Sequence, residues 1–343
     1  MSVKKRRLDF WSVVSWVLLL IFLVFLVYPV GRLLIEAVYT GGQFSTDAFQ
    51  KFFSKPNYYN TIFNSTKIAV CVMAASLLLG IPFAYFYSFY QLKGRKILFV
   101  LCLLCTMSAP FIGAYAWILL MGNSGILTQM LKSIGITGLS IYGFGGIVLV
   151  QTLKLFPLVV IYMNGAFRDI DNSLLEAAES MGCKGVDRFK RVIMALTMPT
   201  ILAAALLVFM RSFADFGTPV LIGRGYSTFP VLIYNSYLGE NGTDYHFAAA
   251  VSVIAVLVTA VIFLIQRFAS NRFKFTISAL HPIAPKEATG LKGILMHLYC
   301  YLLVGVALLP QIYIVNMSFR NYRNAVLQPG YSLVNYQKAL EKM

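Results

Sequence analysis

Residues 11–31 read WSVVSWVLLLIFLVFLVYPVG, an apolar run that contains no Lys, Arg, Asp or Glu. A transmembrane helix needs about 20 consecutive, mostly apolar residues to cross the hydrocarbon core of a bilayer. A secretory signal peptide has an apolar region of only about 7–15 residues, followed by a small-residue cleavage site. This run is longer, and the residues from Tyr28 to Arg32 make a poor cleavage site. We therefore expect a retained transmembrane helix here.

Six further runs of similar length and composition follow the first. Of the 343 residues, 59% are apolar and 12% are charged, whereas a soluble domain is about half apolar and a quarter charged. Only helices and closed barrels satisfy backbone hydrogen bonds in lipid, and runs this long exclude the short alternating strands of a barrel. The sequence thus predicts an all-α, polytopic transmembrane helical bundle, with spans at 11–31, 62–88, 97–121, 144–164, 198–220, 247–267 and 294–316.

The formal net charge of +16 does not indicate nucleic-acid binding, because the basic residues lie between the apolar runs and no nucleic-acid motif accompanies them. Cytoplasmic loops of membrane proteins are enriched in Lys and Arg. If the N-terminus is cytoplasmic, the inner segments hold 17 Lys and Arg residues and the outer segments hold 9. We therefore expect a cytoplasmic N-terminus, with inner segments at 1–10, 89–96, 165–197 and 267–293.

Two of the five cysteines, Cys102 and Cys105, form a CxxC pattern inside the apolar run LFVLCLLCTM. A metal site of this kind needs further Cys or His ligands, and none follows at a suitable spacing. A free cysteine otherwise behaves as a small buried hydrophobe. The pattern therefore favours packing, with a redox or zinc site as the alternative, and we expect no metal site in the chain.

The inner segment between the fourth and fifth spans carries the most informative motif. Residues 174–204 read LLEAAESMGCKGVDRFKRVIMALTMPTILAA. Asp171, Asn172 and Ser173 are N-cap candidates, and Ser173 with Glu176 three residues later has the spacing of a capping box. This predicts a short helix that presents the small side chains of Ala177 and Ala178. Gly182 would then allow a turn with positive φ, or one where a side chain would collide. A second helix at about 186–197 follows, and Pro199 suits the first turn of the next span.

The same residues carry a resemblance. The segment resembles the EAA loop of binding-protein-dependent ABC importer permeases, which has Glu-Ala-Ala, three residues, Gly, and then an apolar segment ending in Pro. The family often has a second Pro where this chain has Ala195. The resemblance implies a type I, MetI-like fold in which this loop docks onto an ATPase subunit. The matching positions are Glu176, Ala177, Ala178, Gly182, Phe189, Val192 and Pro199.

The chain contains no GxxxxGK[ST] phosphate-binding loop. We therefore expect it to be no enzyme and to bind no cofactor, with ATP and magnesium used by a separate ATPase subunit. The family implies three partners: a dimer of that ATPase, an extracytoplasmic substrate-binding protein, and a second permease half or homologous permease. It also implies a multi-pass location in the bacterial inner membrane.

A second resemblance concerns the substrate. The segment FADFGTPVLIGRGYSTFPVLIYNSYLGE, residues 213–240, is similar to the ferric-iron importer permeases and to their thiamine, phosphonate and polyamine relatives. The resemblance implies ferric iron as the cargo, with those other substrates as alternatives. An ion-coupled secondary transporter, which would need no ATPase, is a further alternative.

Ferric permeases are commonly two permease halves fused in one chain. The tail, an apolar helix followed by MSFRN and SLVNYQKAL, resembles the opening of such a second half. We therefore expect a first permease unit at 1–270 with six spans and the EAA loop at 173–199, a basic linker at 271–293, and an incomplete second unit at 294–343. A second EAA loop is missing, so the sequence indicates a truncated or split version of a longer permease.

Ionisable residues within the spans are further candidates, because a charge at the bilayer centre costs about 2.5–3.5 kcal/mol or more. Arg211 and Asp215 lie four residues apart and would share one face of a helix. They could neutralise each other structurally, or line the substrate path, with Asp215 and the break at Pro219 forming an outer gate. Lys154, expected about two turns from the inner end of the fourth span, could snorkel to the interface or meet an anionic substrate or a carboxylate.

Overall fold

The chain folds almost entirely into helices, as the apolar runs predict. The computed structural model describes residues 10–40, 43–108, 110–136, 138, 140–238, 243–271, 283–323 and 326–341. The helices are α1 Phe10–Phe22, α2 Tyr28–Val38, α3 Asp47–Ser54, α4 Pro56–Phe89, α5 Arg95–Thr106, α6 Pro110–Met121, α7 Ile126–Ser133, α8 Phe144–Arg168, α9 Asn172–Ser180, α10 Gly185–Arg188, α11 Met194–Phe213, α12 Gly217–Ile222, α13 Phe229–Leu238, α14 Tyr245–Asn271, α15 Gly290–Ser318 and α16 Val334–Glu341. Two π-helical turns, Leu23–Val27 and Phe189–Ile193, join α1 to α2 and α10 to α11.

Six short strands complete the described structure. They are β1 Tyr39–Thr40, β2 Gln43–Phe44, β3 Tyr90–Gln91, β4 Lys286–Glu287, β5 Arg320–Arg323 and β6 Val326–Tyr331. β1 pairs with β2 and β5 with β6 in antiparallel hairpins, while β3 and β4 pair in parallel with Tyr90 opposite Lys286. These strands are too short to form a core of their own, so the packing of the protein is a matter of helices.

Seven helical segments in the described residues are long and apolar enough to cross a membrane, which is the number predicted. Two of them differ from the prediction. The expected span at 97–121 is divided, since α5 ends at Thr106 and α6 begins at Pro110, and the long apolar segment is Phe111–Ser133. Proline is favoured at the first position of a helix because it has no N–H to donate. Pro110 therefore starts a helix and does not kink one.

The expected span at 198–220 is also displaced. The helical segment runs from Gly185 to Phe213, and α12 is a separate short helix beginning at Gly217. The predicted helix at 186–197 is therefore not separate from the next span. The apolar pattern placed the start of the span at residue 198, because the helical turns before it are more polar.

The chain divides into two compact units. The first unit holds residues 1–62 and 229–260. In it, Ala37, Ala249 and Ala250 form a small buried cluster. The ammonium group of Lys51 lies 2.6 Å from the Asp244 carboxylate. Small residues at the alanine cluster let helix backbones approach closely.

The second unit holds residues 63–228 and 261–343 and contains the large apolar core. α8 is the most buried of the seven candidate spans, and it packs along α11 and α5. A helix that is apolar on all sides is expected at the centre of a bundle. α15 packs on α5, α6 and α8, and the Tyr299 hydroxyl donates to the Leu79 carbonyl over 2.8 Å. α8 is thus the central helix of this unit.

The order of elements after α15 repeats the order after α2. In both places a long apolar helix leads to a β-hairpin and then to a short helix, α3 or α16. The sequences FSTDAFQK at 44–51 and YSLVNYQK at 331–338 are identical at three of eight positions, which are Ser, Gln and Lys. This repetition agrees with the idea of two related permease halves, but the domain boundaries at 270 and 294 remain predictions. Residues 1–9, most of the basic linker, and 342–343 lie outside the described residues.

Candidate functional site

The EAA segment begins with a helix that is capped by one of the three N-cap candidates. Asp171 is the N-cap of α9, and its Oδ1 accepts a hydrogen bond from the Ser173 amide over 2.9 Å. Glu176 accepts over 2.6 Å from the Asn172 side chain. The predicted capping box between Ser173 and Glu176 is therefore wrong, because the helix starts earlier than that spacing requires. Aspartate is as good an N-cap as serine, and its charge also suits the positive end of the helix dipole.

The turn after α9 is formed as the glycine predicts. Gly182 has φ of +86°, and nothing lies within 4 Å of the position that a Cβ atom would take. The Gly182 amide donates to the Glu179 carbonyl over 3.0 Å, and the Cys183 amide donates to the Ala178 carbonyl over 2.9 Å. These two bonds make a Schellman motif, which needs a left-handed residue at this position. Of the two predicted reasons for glycine, backbone conformation applies and collision does not.

The two alanines of the motif have different environments. Ala177 is exposed together with Glu176, whereas Ala178 is buried in the second unit. The expectation that both alanines are presented to a partner is therefore wrong for Ala178, because successive residues of a helix point about 100° apart. The surface around the turn is instead completed by three exposed apolar side chains that the sequence interpretation did not single out: Leu174 at 43%, Met181 at 79% and Val186 at 67%.

The residues after the turn face the protein. Phe189 packs against the Tyr85 ring with their centroids 5.0 Å apart, and Val192 is also packed on the core. Arg188 pairs with Glu179 over 2.8 Å, which ties the start of α10 back to α9. Phe189 and Val192 thus attach the loop to the membrane helices and do not extend the exposed surface.

Pro199 does not lie in the first turn of a helix. It lies inside α11, and the helical segment that contains it begins at Gly185. Proline lacks the N–H that would bond to the carbonyl four residues earlier. The π-helical turn just before α11 is a second departure from the regular α-helical hydrogen-bond pattern, since the Met194 amide donates to the Phe189 carbonyl five residues back.

The structure brings three of the four predicted pathway residues together. Lys154 on α8 and Arg211 on α11 line one open cavity of about 480 Å³ with Asp215. Pro219 does not line this cavity and is buried in α12. Lys154 lies near the middle of α8, which continues to Arg168, so it is farther from the C-terminal end of this helix than the apolar run to residue 164 suggested.

Arg211 and Asp215 are not neutralised by each other. α11 ends at Phe213, so Asp215 follows the helix and does not share a helical face with Arg211. The Asp215 carboxylate accepts a hydrogen bond from Gln151 over 2.8 Å. Among the described residues, neither Arg211 nor Lys154 forms an ion pair.

Gln151 and Ser212 were missed in the sequence. Gln151 is 1% exposed, and its amide oxygen accepts a hydrogen bond from the Ser212 hydroxyl while its amide nitrogen donates to Asp215. A Gln three residues before a Lys in an otherwise apolar span is a signal that could have found it, because buried polar groups need partners.

Lys154 also borders a second, much smaller cavity. This one has a volume of about 20 Å³, and its polar lining residues include Ser108, Thr218 and Gln311. A cavity of about 10–15 Å³ or more that is lined by polar groups can hold one water molecule.

In the part of the chain that the structure describes, no three His, Cys, Asp or Glu side chains form a metal site. Cys102 and Cys105 are both buried.

The helices and this loop define a class: a multi-pass α-helical membrane protein with a short capped helix between two spans. Residues 76–275 match the profile of the family described as binding-protein-dependent transport system inner membrane component. The chain belongs to this family, whose members are transport components. The match covers α5 to α14 and the C-terminal part of α4.

Similarity to individual transport proteins agrees with this family membership. The chain is 26% identical over 265 residues to the putative ferric transport system permease protein FbpB 1 of Haemophilus influenzae, covering 76% of this chain and 42% of that protein. It is 27% identical to the ferric transport system permease protein FbpB of Actinobacillus pleuropneumoniae, covering 76% and 38%. It is 30% identical to the spermidine/putrescine permease protein PotB of H. influenzae, covering 62% and 75%. The chain thus spans less than half the length of the two ferric relatives.

Solved structures confirm the fold. The chain superposes on a chain of a bacterial ABC transporter that imports the acidic polysaccharide alginate, with a TM-score of 0.64, 19% identity, and 77% and 96% of the two chains covered. A chain of the MetNI methionine ABC transporter in an inward-facing conformation gives 0.51 at 13% identity, covering 63% and 96%. The predicted MetI-like helical fold is therefore confirmed.

Proposed function

We propose that this chain is the permease subunit of an ATP-driven importer, in which the α9–α10 segment transmits the movement of an ATPase to the membrane helices. Membership of the transport family supports this proposal. So does the surface around Gly182, where Leu174, Met181 and Val186 are exposed beside Ala177. An apolar patch on a loop between two spans suits a docking surface for another protein.

One observation carries the proposal: a single helical path joins this surface to the cavity. The segment from Gly185 to Phe213 is 29 residues long, which corresponds to about 43 Å at 1.5 Å per residue. Val186 lies at its exposed end and Arg211 lies at its cavity end. A force applied beside Gly182 would therefore reach Arg211 through hydrogen-bonded backbone. The ion pair between Arg188 and Glu179 keeps α9 attached to the start of this path.

The proposed partners follow from this mechanism. An ATPase dimer, using ATP and magnesium, would dock at the EAA segment from the cytoplasm, and an extracytoplasmic binding protein would deliver the cargo. A second permease half or a homologous permease would complete the path, in keeping with the greater length of the ferric relatives. This arrangement requires the N-terminus and the α8–α11 loop to face the cytoplasm of a bacterium, as the distribution of Lys and Arg indicates.

Ferric iron is the proposed cargo. Its support is similarity to the two ferric permeases. Other relatives are described as permeases for spermidine and putrescine, molybdenum, or 2-aminoethylphosphonate, and these are the alternatives. The family match favours all of them over an ion-coupled secondary transporter.

The test is to uncouple the loop without disturbing the bundle. In Gly182→Val the new side chain meets no neighbour but forces a β-branched residue to positive φ, at a cost of about 1–2 kcal/mol. The matched control is Gly165→Val, because Gly165 is also exposed with open space around it but lies inside a helix. The assembly would be purified through a tag on this chain and reconstituted with the binding protein, and uptake of ⁵⁵Fe would be measured per ATP hydrolysed.

We expect Gly182→Val to lower that ratio by about tenfold, the factor that 1.4 kcal/mol represents, while Gly165→Val stays near the unaltered protein. Two results contradict the proposal. One is equal coupling in Gly182→Val and the unaltered protein. The other is a tagged chain that purifies with no nucleotide-hydrolysing subunit and whose uptake does not respond to ATP.

A further inference from the structure

The open cavity beside α8 has an unusual charge balance for a space among membrane helices. Its walls are mostly apolar, including Leu155, Leu158, Leu207 and Met210. Lys154, Arg211 and Asp215 are the charged side chains that line it. The cavity therefore has two cationic groups and one carboxylate.

The carboxylate is already engaged. Asp215 accepts a hydrogen bond from Gln151, which is held in turn by Ser212. Neither Lys154 nor Arg211 forms an ion pair or a hydrogen bond with another described residue. Lys154, which is half-buried, and Arg211, which is exposed to the open cavity, are thus the charged lining groups without a partner among the described residues.

Such an arrangement needs a compensating charge. A lysine near the middle of a span costs about 2.5–3.5 kcal/mol or more unless it is paired or hydrated. Lys154 is half-buried and lies near the middle of α8. A cationic ligand would meet two like charges here, whereas an anionic ligand would meet two donors of hydrogen bonds that carry opposite charge.

Bare ferric iron does not suit the same side chains. Fe³⁺ is a hard cation and favours several oxygen ligands. The described lining offers a single carboxylate, which already accepts a hydrogen bond. A ferric ion enclosed by carboxylates brings its own ligands and carries negative charge on its surface. A volume of about 480 Å³ lies within the range of about 300–1,000 Å³ that is usual for small-molecule sites.

Building on the proposed importer function, we propose that the cargo passes this cavity in a negatively charged form. Lys154 and Arg211 are the groups that bind it, through charge-assisted hydrogen bonds to anionic oxygen atoms. Gln151 holds the Asp215 carboxylate to one side, so that it does not neutralise the two cations. The shared chemistry is an anionic oxygen group, supplied by a small oxyanion or by a carboxylate chelate of ferric iron.

The test is direct binding, without nucleotide, to the purified assembly in lipid nanodiscs. The probes are ⁹⁹Mo-molybdate, ⁵⁵Fe-citrate and ¹⁴C-spermidine, measured by equilibrium dialysis. The first two distinguish an oxyanion from a ferric chelate, and the third is the cationic comparison. The variants are Lys154→Gln, Arg211→Gln and the charge-preserving Lys154→Arg. The matched control is Lys67→Gln, because Lys67 lies over the Phe144 ring and outside the cavity.

We expect one of the two anionic probes to bind, and Lys154→Gln and Arg211→Gln each to weaken it by about 10- to 100-fold, as expected for hydrogen bonds to charged groups. Lys154→Arg should stay within a few-fold of the unaltered protein, which shows that the charge matters and that the loss is not misfolding. Lys67→Gln should bind normally.

Three results overturn the proposal: neither anion binds, spermidine binds more tightly than both, or Lys67→Gln loses as much as Lys154→Gln. ATP-driven uptake by the same preparation separates the two proposals. If ATP drives spermidine uptake, the importer function stands and the anionic cargo is wrong. If an anion binds but ATP never drives its uptake, the anion-binding site stands and the importer function is wrong.

Discussion

The amide nitrogen of Gln151 lies 2.8 Å from Oδ2 of Asp215, and this bond joins the centre of α8 to the segment that follows α11. The same side chain accepts a hydrogen bond from Ser212, so one buried glutamine fixes both polar groups at the end of α11. α11 ends at Phe213, beside the open cavity, and Asp215 takes its partner from α8 and not from Arg211. The position of the carboxylate therefore depends on a residue 64 positions away.

Gln151→Met should destabilise the protein, because it leaves Asp215 without its donor and Ser212 without its acceptor at nearly constant side-chain volume. A buried polar group without a partner costs about 1–3 kcal/mol. Thermal unfolding in detergent should show a lower Tm. Gln129→Met is the control, since Gln129 is exposed and bonds only to a nearby carbonyl. Equal Tm values for the two variants would contradict the role of Gln151.

Asp215→Asn separates charge from hydrogen bonding. The asparagine Oδ1 can still accept from Gln151, so the Tm should change little. If the carboxylate contributes to an outer gate, transport should change while expression and Tm do not. The measurement is uptake by reconstituted protein at matched amounts of assembly. Unchanged uptake shows that the charge of Asp215 has no part in gating.

Asp171→Ala should loosen the start of α9. Removing an N-cap costs about 0.5–2 kcal/mol, and the lost bond is the one to the Ser173 amide. Hydrogen exchange of the amides from Ser173 to Met181 should become faster. Asp169→Ala is the control, because Asp169 is exposed and follows α8 without capping α9. The prediction is wrong if both variants exchange alike, and Asp171→Asn should restore protection.

Gly94→Ala tests the packing of α15 on the turn between α4 and α5. Gly94 has φ of +66°, and an added Cβ would lie 2.8 Å from the Tyr301 hydroxyl oxygen. That hydroxyl donates to the Lys93 carbonyl. Gly94→Ala alone should lower the Tm, and the double variant with Tyr301→Phe should lose less than the sum of the two single variants. Coupled neighbours differ from additivity by about 0.5–3 kcal/mol, so strict additivity in the double-mutant cycle argues against this contact.

The ion pair between Lys51 and Asp244 predicts that the thermal stability of the protein depends on pH. Burial raises the pKa of Asp244, but hydrogen bonds from Lys51 and from the Phe247 amide, with the charge of Lys51, outweigh it, so the pKa lies below its ordinary value. A carboxyl group with a lowered folded-state pKa stabilises the protein fully above its unfolded pKa, about 3.9, and loses this as the pH falls through the folded value.

The Tm advantage of the unaltered protein over Asp244→Asn should therefore be constant from pH 7 to about 5 and should disappear in more acidic buffer. Lys51→Met should abolish most of it, while Lys55→Met should not, because Lys55 contacts Tyr58 and not this carboxylate. An advantage that grows on acidification would show that the sign of the shift is wrong.

Short stretches of sequence determined the helical membrane fold, the seven apolar segments and the turn at Gly182. Bilayer thickness fixes the length of an apolar run, and only glycine adopts positive φ without strain, so both signals are contained in a few consecutive residues. The family resemblance of the EAA segment is local in the same sense, and the matched family confirmed it.

The environments of the site residues depend on packing between distant parts of the chain. The burial of Ala178, the partnership of Gln151 with Asp215, and the end of α11 before Asp215 all depend on which helices lie side by side. Each of these contacts joins residues that are distant in the chain, and their free energies exist only after the helices have assembled. The order of residues along the chain could name Lys154, Arg211 and Asp215 as candidates, but it could not show that two cations remain unpaired beside one engaged carboxylate.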